Sequence, residues 1–151
     1  MSAPIRISQE KAASPKARWD ALSDFCAFAE IDDLTPVQRM AYLAYWYSGL
    51  IIMGGHREYF LHSLYARHPA IVAALRAIGA YEQAEILVKA DKLVKAARDQ
   101  APEYYENRHL AGVEFADLTE SDDAFERCAR SIRQSLMAYL DKNEREFIEY
   151  K

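Results

Sequence analysis

Acidic side chains crowd one short window in the second half of the chain. Six carboxylates fall within the thirteen positions from 114 to 126, and none of these positions holds Lys or Arg. Duplex DNA presents a negative charge about every 1.7 Å of its axis, so carboxylates on a loop and a first helical turn could imitate a short stretch of phosphates. The window therefore predicts a surface for a basic protein partner, formed by Glu114, Asp117, Glu120, Asp122, Asp123 and Glu126.

The charge balance singles out the same half of the chain. Residues 1–79 carry 8 Lys and Arg against 7 Asp and Glu, whereas residues 80–151 carry 11 against 16. A formal charge of −4 argues against direct nucleic-acid binding, which needs basic residues to neutralise phosphates. The simpler alternative is that Asp122 and Asp123 favour a helix N-terminus through its dipole, while the other carboxylates are only solvated.

A second group of polar residues follows a pair of glycines. Gly54 and Gly55 separate two predicted helices, and His56, Glu58 and His62 come next. Glu58 and His62 are four residues apart and share a helix face, so we expect them to pair. No HExxH pattern and no third ligand at metal-binding spacing is present, so neither a metal nor a cofactor is predicted. A tight turn between helices is the favoured role of the glycines, ahead of anion binding.

Helix signals predict how these groups are positioned. Ser14-Pro15 and Thr35-Pro36 each combine a capping hydroxyl with a proline suited to the first turn. Thr119 is predicted to start the last helix, with Asp122 in a capping-box-like position, and the helix is expected to continue to about Phe147.

Apolar periodicity places all of this in one domain. Apolar residues recur at helical spacing along most of the chain, and no run of alternating β-branched residues appears. We predict a single all-α domain of six or seven helices over residues 14–151. A flexible lead is expected over residues 1–13, and the stretch 103–119 is the least regular.

Nothing in the sequence indicates export or insertion into a membrane. Residues 1–13 lack the apolar core of a signal peptide. The longest uncharged stretch, Met40–His56, is shorter than the ~20 residues of a membrane span. Cys26 and Cys128 lie among apolar neighbours and are expected to be reduced core residues. A cytoplasmic protein without a membrane partner is therefore predicted.

Four segments follow one another in an order that is typical of a known family. They are Thr35-Pro36-Val37-Gln38-Arg39, Gly54-Gly55-His56-Arg57-Glu58-Tyr59-Phe60, Ile78-Gly79-Ala80 and Glu146-Phe147-Ile148. With this order the chain resembles, over roughly residues 30–150, the bacterial all-α family that is named after a DNA-mimic protein and whose common domain is otherwise of unknown function. The chain departs from the family's usual Asn, aromatic residue and Gln at Met53, His56 and Glu58.

The resemblance implies an all-α fold and a protein-interaction role. In the founding member of the family, acidic surface residues are thought to imitate phosphates and to occupy the DNA-binding face of a transcription factor. The implied partner of this chain is therefore a basic protein surface, for example that of a transcription factor, bound without catalysis.

Two alternatives stay open. A small-molecule-binding protein or an enzyme would need a cleft between the glycine pair and Tyr104-Tyr105, lined by His56, Glu58 and His109. A self-associating structural domain, such as a homodimer, would use the apolar stretch Leu50–Met53. No Ser/His/Asp or Cys/His catalytic set can be assembled from sequence spacing, so a non-catalytic interaction protein is favoured over an enzyme.

Overall fold

Eight α-helices and one short parallel sheet make up residues 4–151, the part of the chain that the computed structural model describes. The all-α class is confirmed, with eight α-helices in place of the predicted six or seven. The elements are β1 (Ile5–Ile7), α1 (Gln9–Ala12), α2 (Pro15–Phe28), α3 (Pro36–Leu61), α4 (His68–Ala77), α5 (Tyr81–Gln100), α6 (Arg108–Phe115), α7 (Thr119–Arg127), α8 (Ile132–Lys142) and β2 (Ile148–Tyr150). Short 3₁₀ helices cover Ile31–Asp33, Ser63–Arg67 and Glu144–Glu146.

The two hydroxyl-proline pairs start helices as predicted. The Ser14 side chain accepts a hydrogen bond from the Ala17 N–H at 3.3 Å. Thr35 Oγ1 accepts from the Gln38 N–H at 3.2 Å, and Gln38 Oε1 accepts from the Thr35 N–H at 3.0 Å. This capping box satisfies two backbone donors that the first turn of α3 leaves free. Gln38 Nε2 also donates to the Glu146 carbonyl at 2.7 Å, which ties the start of α3 to the end of the chain.

Helix α3 forms the centre of the core. Ala41, Leu43, Ala44 and Tyr47 have no exposed surface. Helices α2, α4, α6, α7 and α8 all pack against α3, and α5 packs against α4, α6 and α7. The buried apolar side chains form one continuous cluster, as expected for a helix that is apolar almost all round.

The two ends of the described chain meet in the small sheet. Strands β1 and β2 pair in parallel, with Ile5 opposite Ile148. The flexible lead predicted over residues 1–13 falls partly on residues 1–3, which lie outside the described residues. Within the same stretch, residues 5–7 form β1 and residues 9–12 form α1, and Ile5 and Ile7 pack against the core while their backbone pairs with β2.

The second half of the chain is more divided than its sequence pattern predicts. The last helix is interrupted, because Ser131 and Gln134 form a capping box, with hydrogen bonds of 3.1 and 2.8 Å, that starts α8 as a separate helix. The stretch 103–119 contains α6, which the apolar pattern did not indicate. The Asn107 side chain caps α6 by accepting from the Leu110 N–H at 3.0 Å.

Both cysteines are free thiols. Cys26 is a core residue as predicted, and burial raises its pKa to about 12, whereas Cys128 is only partly buried and lies outside the core. No helix among residues 4–151 combines the length and the hydropathy that crossing a bilayer would require.

Candidate functional site

The glycine pair makes a sharp break inside α3. Gly54 has φ −158° and ψ 19°, and Gly55 has φ 72° and ψ −169°, so the helix stops and restarts at this point. A Cβ atom on Gly55 would lie 2.6 Å from Oδ2 of Asp122. Gly55 is therefore required both by its backbone conformation and by the close approach of α7. The predicted tight turn is present, and it brings the acidic window to the junction.

Asp122 caps the part of α3 that begins after the glycine pair. Its Oδ1 accepts from the His56 backbone N–H at 2.8 Å and from His56 Nδ1 at 2.7 Å. The His56 N–H is one of the donors that a restarting helix leaves free, so Asp122 caps a helix other than its own. The residue that precedes α7 is Leu118, which makes no side-chain capping bond. The prediction that Thr119 and Asp122 form a capping box at the start of α7 is thus wrong.

His56 continues this contact into the core. Its Nε2 lies 2.7 Å from the hydroxyl oxygen of Tyr47, and the side chains of both residues are completely buried. Because the Asp122 carboxylate only accepts hydrogen bonds, the network assigns the His56 proton to Nδ1, and Nε2 accepts from the Tyr47 hydroxyl. Burial lowers the pKa of His56 despite the opposing effect of Asp122, and burial also raises the pKa of Tyr47 well above its ordinary value.

This Tyr47–His56–Asp122 network holds α7 against α3. The Tyr47 oxygen is sealed in the core, where it donates to His56 and meets no solvent. A nucleophile would have to reach a substrate, whereas this hydroxyl serves to fix the imidazole ring. The outer end of the network is different, since the Asp122 side chain retains 40% of its exposure.

A surface cavity of about 380 Å³ lies at this outer end. The carboxylates of Asp122 and Glu126, which are one helical turn apart on α7, form its polar part. Its other lining residues are Ile51, Ile52, Gly54, Gly55 and Phe125. Two groups that are distant in sequence, the glycine junction and the acidic window, therefore share one site.

The remaining junction residues do not converge on this site. Glu58 is exposed and packs over Gly54. His62 Nδ1 accepts from the Leu64 N–H at 2.9 Å, so this ring caps the next short helix and does not pair with Glu58, contrary to the prediction. His109 Nε2 donates to the Phe60 carbonyl at 2.8 Å. In the predicted cleft, His56 and His109 therefore bond separate partners, and Glu58 lies exposed over Gly54.

The other acidic residues of the window are exposed at the surface. Asp117 Oδ1 accepts from the Thr119 N–H at 3.0 Å, and this hydrogen bond lowers the pKa of Asp117. Glu120 forms an ion pair with Arg127 at 2.8 Å.

Glu114 accepts from the Tyr105 hydroxyl at 3.3 Å. Asp123 and Glu126 take part in no ion pair within residues 4–151. The Tyr104 ring stacks on Tyr105 with 79% of its surface exposed, beside the acidic segment.

A second buried network was missed at the sequence level. Tyr59 bonds His68 Nδ1 at 2.7 Å, and His68 Nε2 lies 3.6 Å from Asp91. Asp91 also accepts from the Tyr65 hydroxyl at 2.7 Å and pairs with Lys95 at 2.8 Å. Burial lowers the pKa of His68. Burial alone would raise the pKa of Asp91, but hydrogen bonds from Lys95 and Tyr65 outweigh it and lower the pKa.

A shared spacing was the only available signal for these two networks. In each network the histidine follows the tyrosine by nine residues, across a break in the helix. Nine residues matches no single helix face, so periodicity could not pair them. Within residues 4–151, no group of three His, Cys, Asp or Glu side chains is placed to hold a metal ion.

Comparison with known proteins gives one result. The family model described as DMP19-like protein matches residues 32–143, which include α3 to α8, the glycine junction and the whole acidic window. No curated protein and no solved structure matches the chain significantly.

Proposed function

Because the chain belongs to the family of DMP19-like proteins, we propose that it is a non-catalytic interaction protein that binds a basic, DNA-binding protein surface through its acidic second half. Membership of this family indicates a protein-interaction role of the DNA-mimic type. The observation that supports this binding surface is the exposure of five carboxylates around α7 while the sixth, Asp122, fixes the helix to the core.

The carboxylates of this surface differ in how much charge they can offer. Asp123 and Glu126 are exposed and have no cationic neighbour in an ion pair among the described residues. Asp117 keeps its charge to lower pH because a backbone N–H stabilises the ionised form. Glu120 is partly neutralised by Arg127, and Glu114 is engaged by Tyr105. We therefore assign the main contacts to Asp117, Asp123 and Glu126.

Rigid placement of these charges supports the same function. A surface that imitates phosphates gains affinity when its charges are already in position, because little ordering is then required on binding. Asp122 provides this order, since one oxygen holds both the backbone and the ring of His56.

The test is a pull-down from the native cell extract with a variant that carries Asp117→Asn, Asp123→Asn and Glu126→Gln. Recovery of the partner is expected to fall at least about fivefold at ~0.1 M salt, and wild-type recovery is expected to fall steeply as salt rises. The matched control, Glu10→Gln with Glu30→Gln and Asp33→Asn, removes three exposed charges from the first half of the chain. The control should recover the partner like the wild type.

Two outcomes count against the proposal. Equal recovery by the wild type and by the three-charge variant would remove the assigned site. An equal loss in the control would mean that only net charge matters and that α7 has no special role.

A further inference from the structure

Two large apolar side chains stand exposed beside the glycine pair. Ile52 is 78% exposed and Met53 is 75% exposed, at the end of the first stretch of α3. Single exposed apolar residues are ordinary on protein surfaces, but neighbouring ones that border a groove are typical of binding sites. Ile52 and Met53 border a groove of about 420 Å³, whose other main walls are Trp19, Tyr45, Trp46 and Leu136.

The apolar groove continues into the acidic cavity. Ile52 lines both, and beyond it the cavity is bounded by the carboxylates of Asp122 and Glu126. Trp19 lines the groove but not the cavity. The Arg133 guanidinium lies over its ring, 4.7 Å from the ring centre. The two ends of this surface therefore carry opposite charges, with the negative end at α7.

We propose that this continuous surface, the groove with its acidic end, binds a basic amphipathic helix of the partner protein. Apolar side chains of that helix occupy the groove, and a Lys or Arg one turn away reaches Asp122 and Glu126. The proposal rests on the proposed function, because it names the part of the basic partner that docks beside the acidic surface.

A helix fits this groove better than an extended segment. The walls are faces of α2, α3 and α8, whose backbone groups are already paired within their own helices. An extended segment would find no free strand edge and would leave its own backbone donors and acceptors unpaired by the protein. A helix brings its backbone already paired and presents apolar and basic side chains at spacings of three and four residues.

The chain contains two tryptophans, and both line the groove. Intrinsic tryptophan fluorescence therefore reports directly on its occupancy. The probes are three synthetic helical peptides of about 18 residues, or five turns. One combines a Leu stripe with Lys, one replaces the Leu stripe by Ser, and one replaces Lys by Glu.

We expect the Leu–Lys peptide to produce a saturable change in emission. The other two peptides should bind with at least about tenfold lower affinity. Binding of the Leu–Lys peptide should weaken with salt but persist at ~1 M salt, because burial of the apolar stripe is not screened. Ile52→Gln with Met53→Gln should reduce affinity about tenfold and leave the salt dependence unchanged. Glu126→Gln should instead flatten the salt dependence.

The matched control is Phe28→Gln, which removes a side chain that is 83% exposed and lies outside the groove. It should bind like the wild type. All four substituted residues are exposed, so circular dichroism and the melting temperature should show that each variant folds.

Equal binding of the Leu–Lys and Ser–Lys peptides, or unchanged binding by the Ile52→Gln, Met53→Gln variant, would overturn the groove as the docking site. The pull-down dependence on Asp117, Asp123 and Glu126 would then still stand by itself. Conversely, a peptide that binds as expected, together with a pull-down insensitive to those charges, would overturn the proposed function and leave the groove. A dimer in sedimentation that the Ile52→Gln, Met53→Gln variant abolishes would show that a second copy of this chain is the occupant, which also overturns the helix proposal.

Discussion

The two Tyr–His–Asp networks are built alike and end differently. In each, a tyrosine bonds a histidine nine residues later, and a carboxylate from a distant helix meets the other ring nitrogen. Asp91 retains only 7% of its side-chain exposure and pairs with Lys95, whereas Asp122 retains 40% and meets neutral His56. The charge of Asp91 is therefore neutralised by the adjacent Lys95, while the charge of Asp122 remains available at the surface.

The Asp91 and Asp122 networks therefore have different roles although the same residue types form them. The Asp91 network joins α3, α4 and α5 inside the protein, and its residues line neither the acidic cavity nor the apolar groove. The Asp122 network fixes α7 at the glycine junction and displays a carboxylate beside Glu126. The first should matter for stability alone, and the second for stability and for binding.

The largest loss of stability is expected when the carboxylate of Asp91 is removed. Asp91→Ala leaves Tyr65, His68 and Lys95 without their common partner, so the free energy of unfolding should fall by about 3 kcal/mol in urea denaturation. Partner recovery in the pull-down should not change at a temperature where the variant is folded. A loss below about 1 kcal/mol would show that the network contributes little.

The second change acts where α7 meets α3. Gly55→Ala combines a positive φ of 72° with a Cβ only 2.6 Å from Asp122, so we expect a loss of about 2–3 kcal/mol. Gly79→Ala is the control, because Gly79 also has a positive φ, 85°, but no atom within 4 Å of the added Cβ. It should cost about 1 kcal/mol. Equal costs at both positions would mean that the approach of Asp122 imposes no constraint.

Acid should affect both networks in the same direction. Burial lowers the pKa of His56 and of His68 in the folded protein, so below the ordinary histidine pKa of about 6.5 the unfolded chain binds more protons. The stability these groups contribute is present above that pH. It is lost as the pH falls towards their folded pKa values, by at most about 1.4 kcal/mol per pH unit for each histidine. His56→Gln and His68→Gln should each flatten this slope between pH 7 and pH 5, measured by urea denaturation.

The smallest effect on stability is expected at the binding surface itself. Asp123→Asn with Glu126→Gln removes two exposed charges that form no ion pair among the described residues, so unfolding should change by less than about 0.5 kcal/mol. Recovery of the partner should nevertheless fall. A large loss of stability would show that these carboxylates stabilise the fold. For Asp123, this would agree with the simpler alternative, in which the acidic residue only favours the helix N-terminus.

Local signals made much of the fold predictable. The starts of α2 and α3 follow from Ser14-Pro15 and Thr35-Pro36, because a cap acts within four residues of itself. The turn at Gly54-Gly55 was predictable for the same reason. The capping box of Ser131 and Gln134 was equally visible in the sequence, but the apolar stripe on both sides of it suggested one continuous helix.

Contacts between residues that are distant in sequence could not be predicted from local patterns. Asp122 lies 66 residues from His56, and its local position at the start of α7 favoured a cap that the folded chain does not form. The pairing of β1 with β2 likewise joins the two ends of the described chain, so no local pattern marks it. Acidic residues were identified by composition, but only the fold shows that Asp122 is half-buried while Asp123 and Glu126 are exposed.

Competition with duplex DNA distinguishes a DNA mimic from a protein that binds its partner at another surface. The partner recovered with the wild-type chain is bound to a labelled duplex, and the chain is added at increasing concentration while fluorescence anisotropy is followed. A DNA mimic should displace the duplex completely, and the variant with Asp117→Asn, Asp123→Asn and Glu126→Gln should need at least about fivefold more protein. A ternary complex, in which the partner holds the duplex and the chain together, would show that the chain does not occupy the DNA-binding face and is not a DNA mimic.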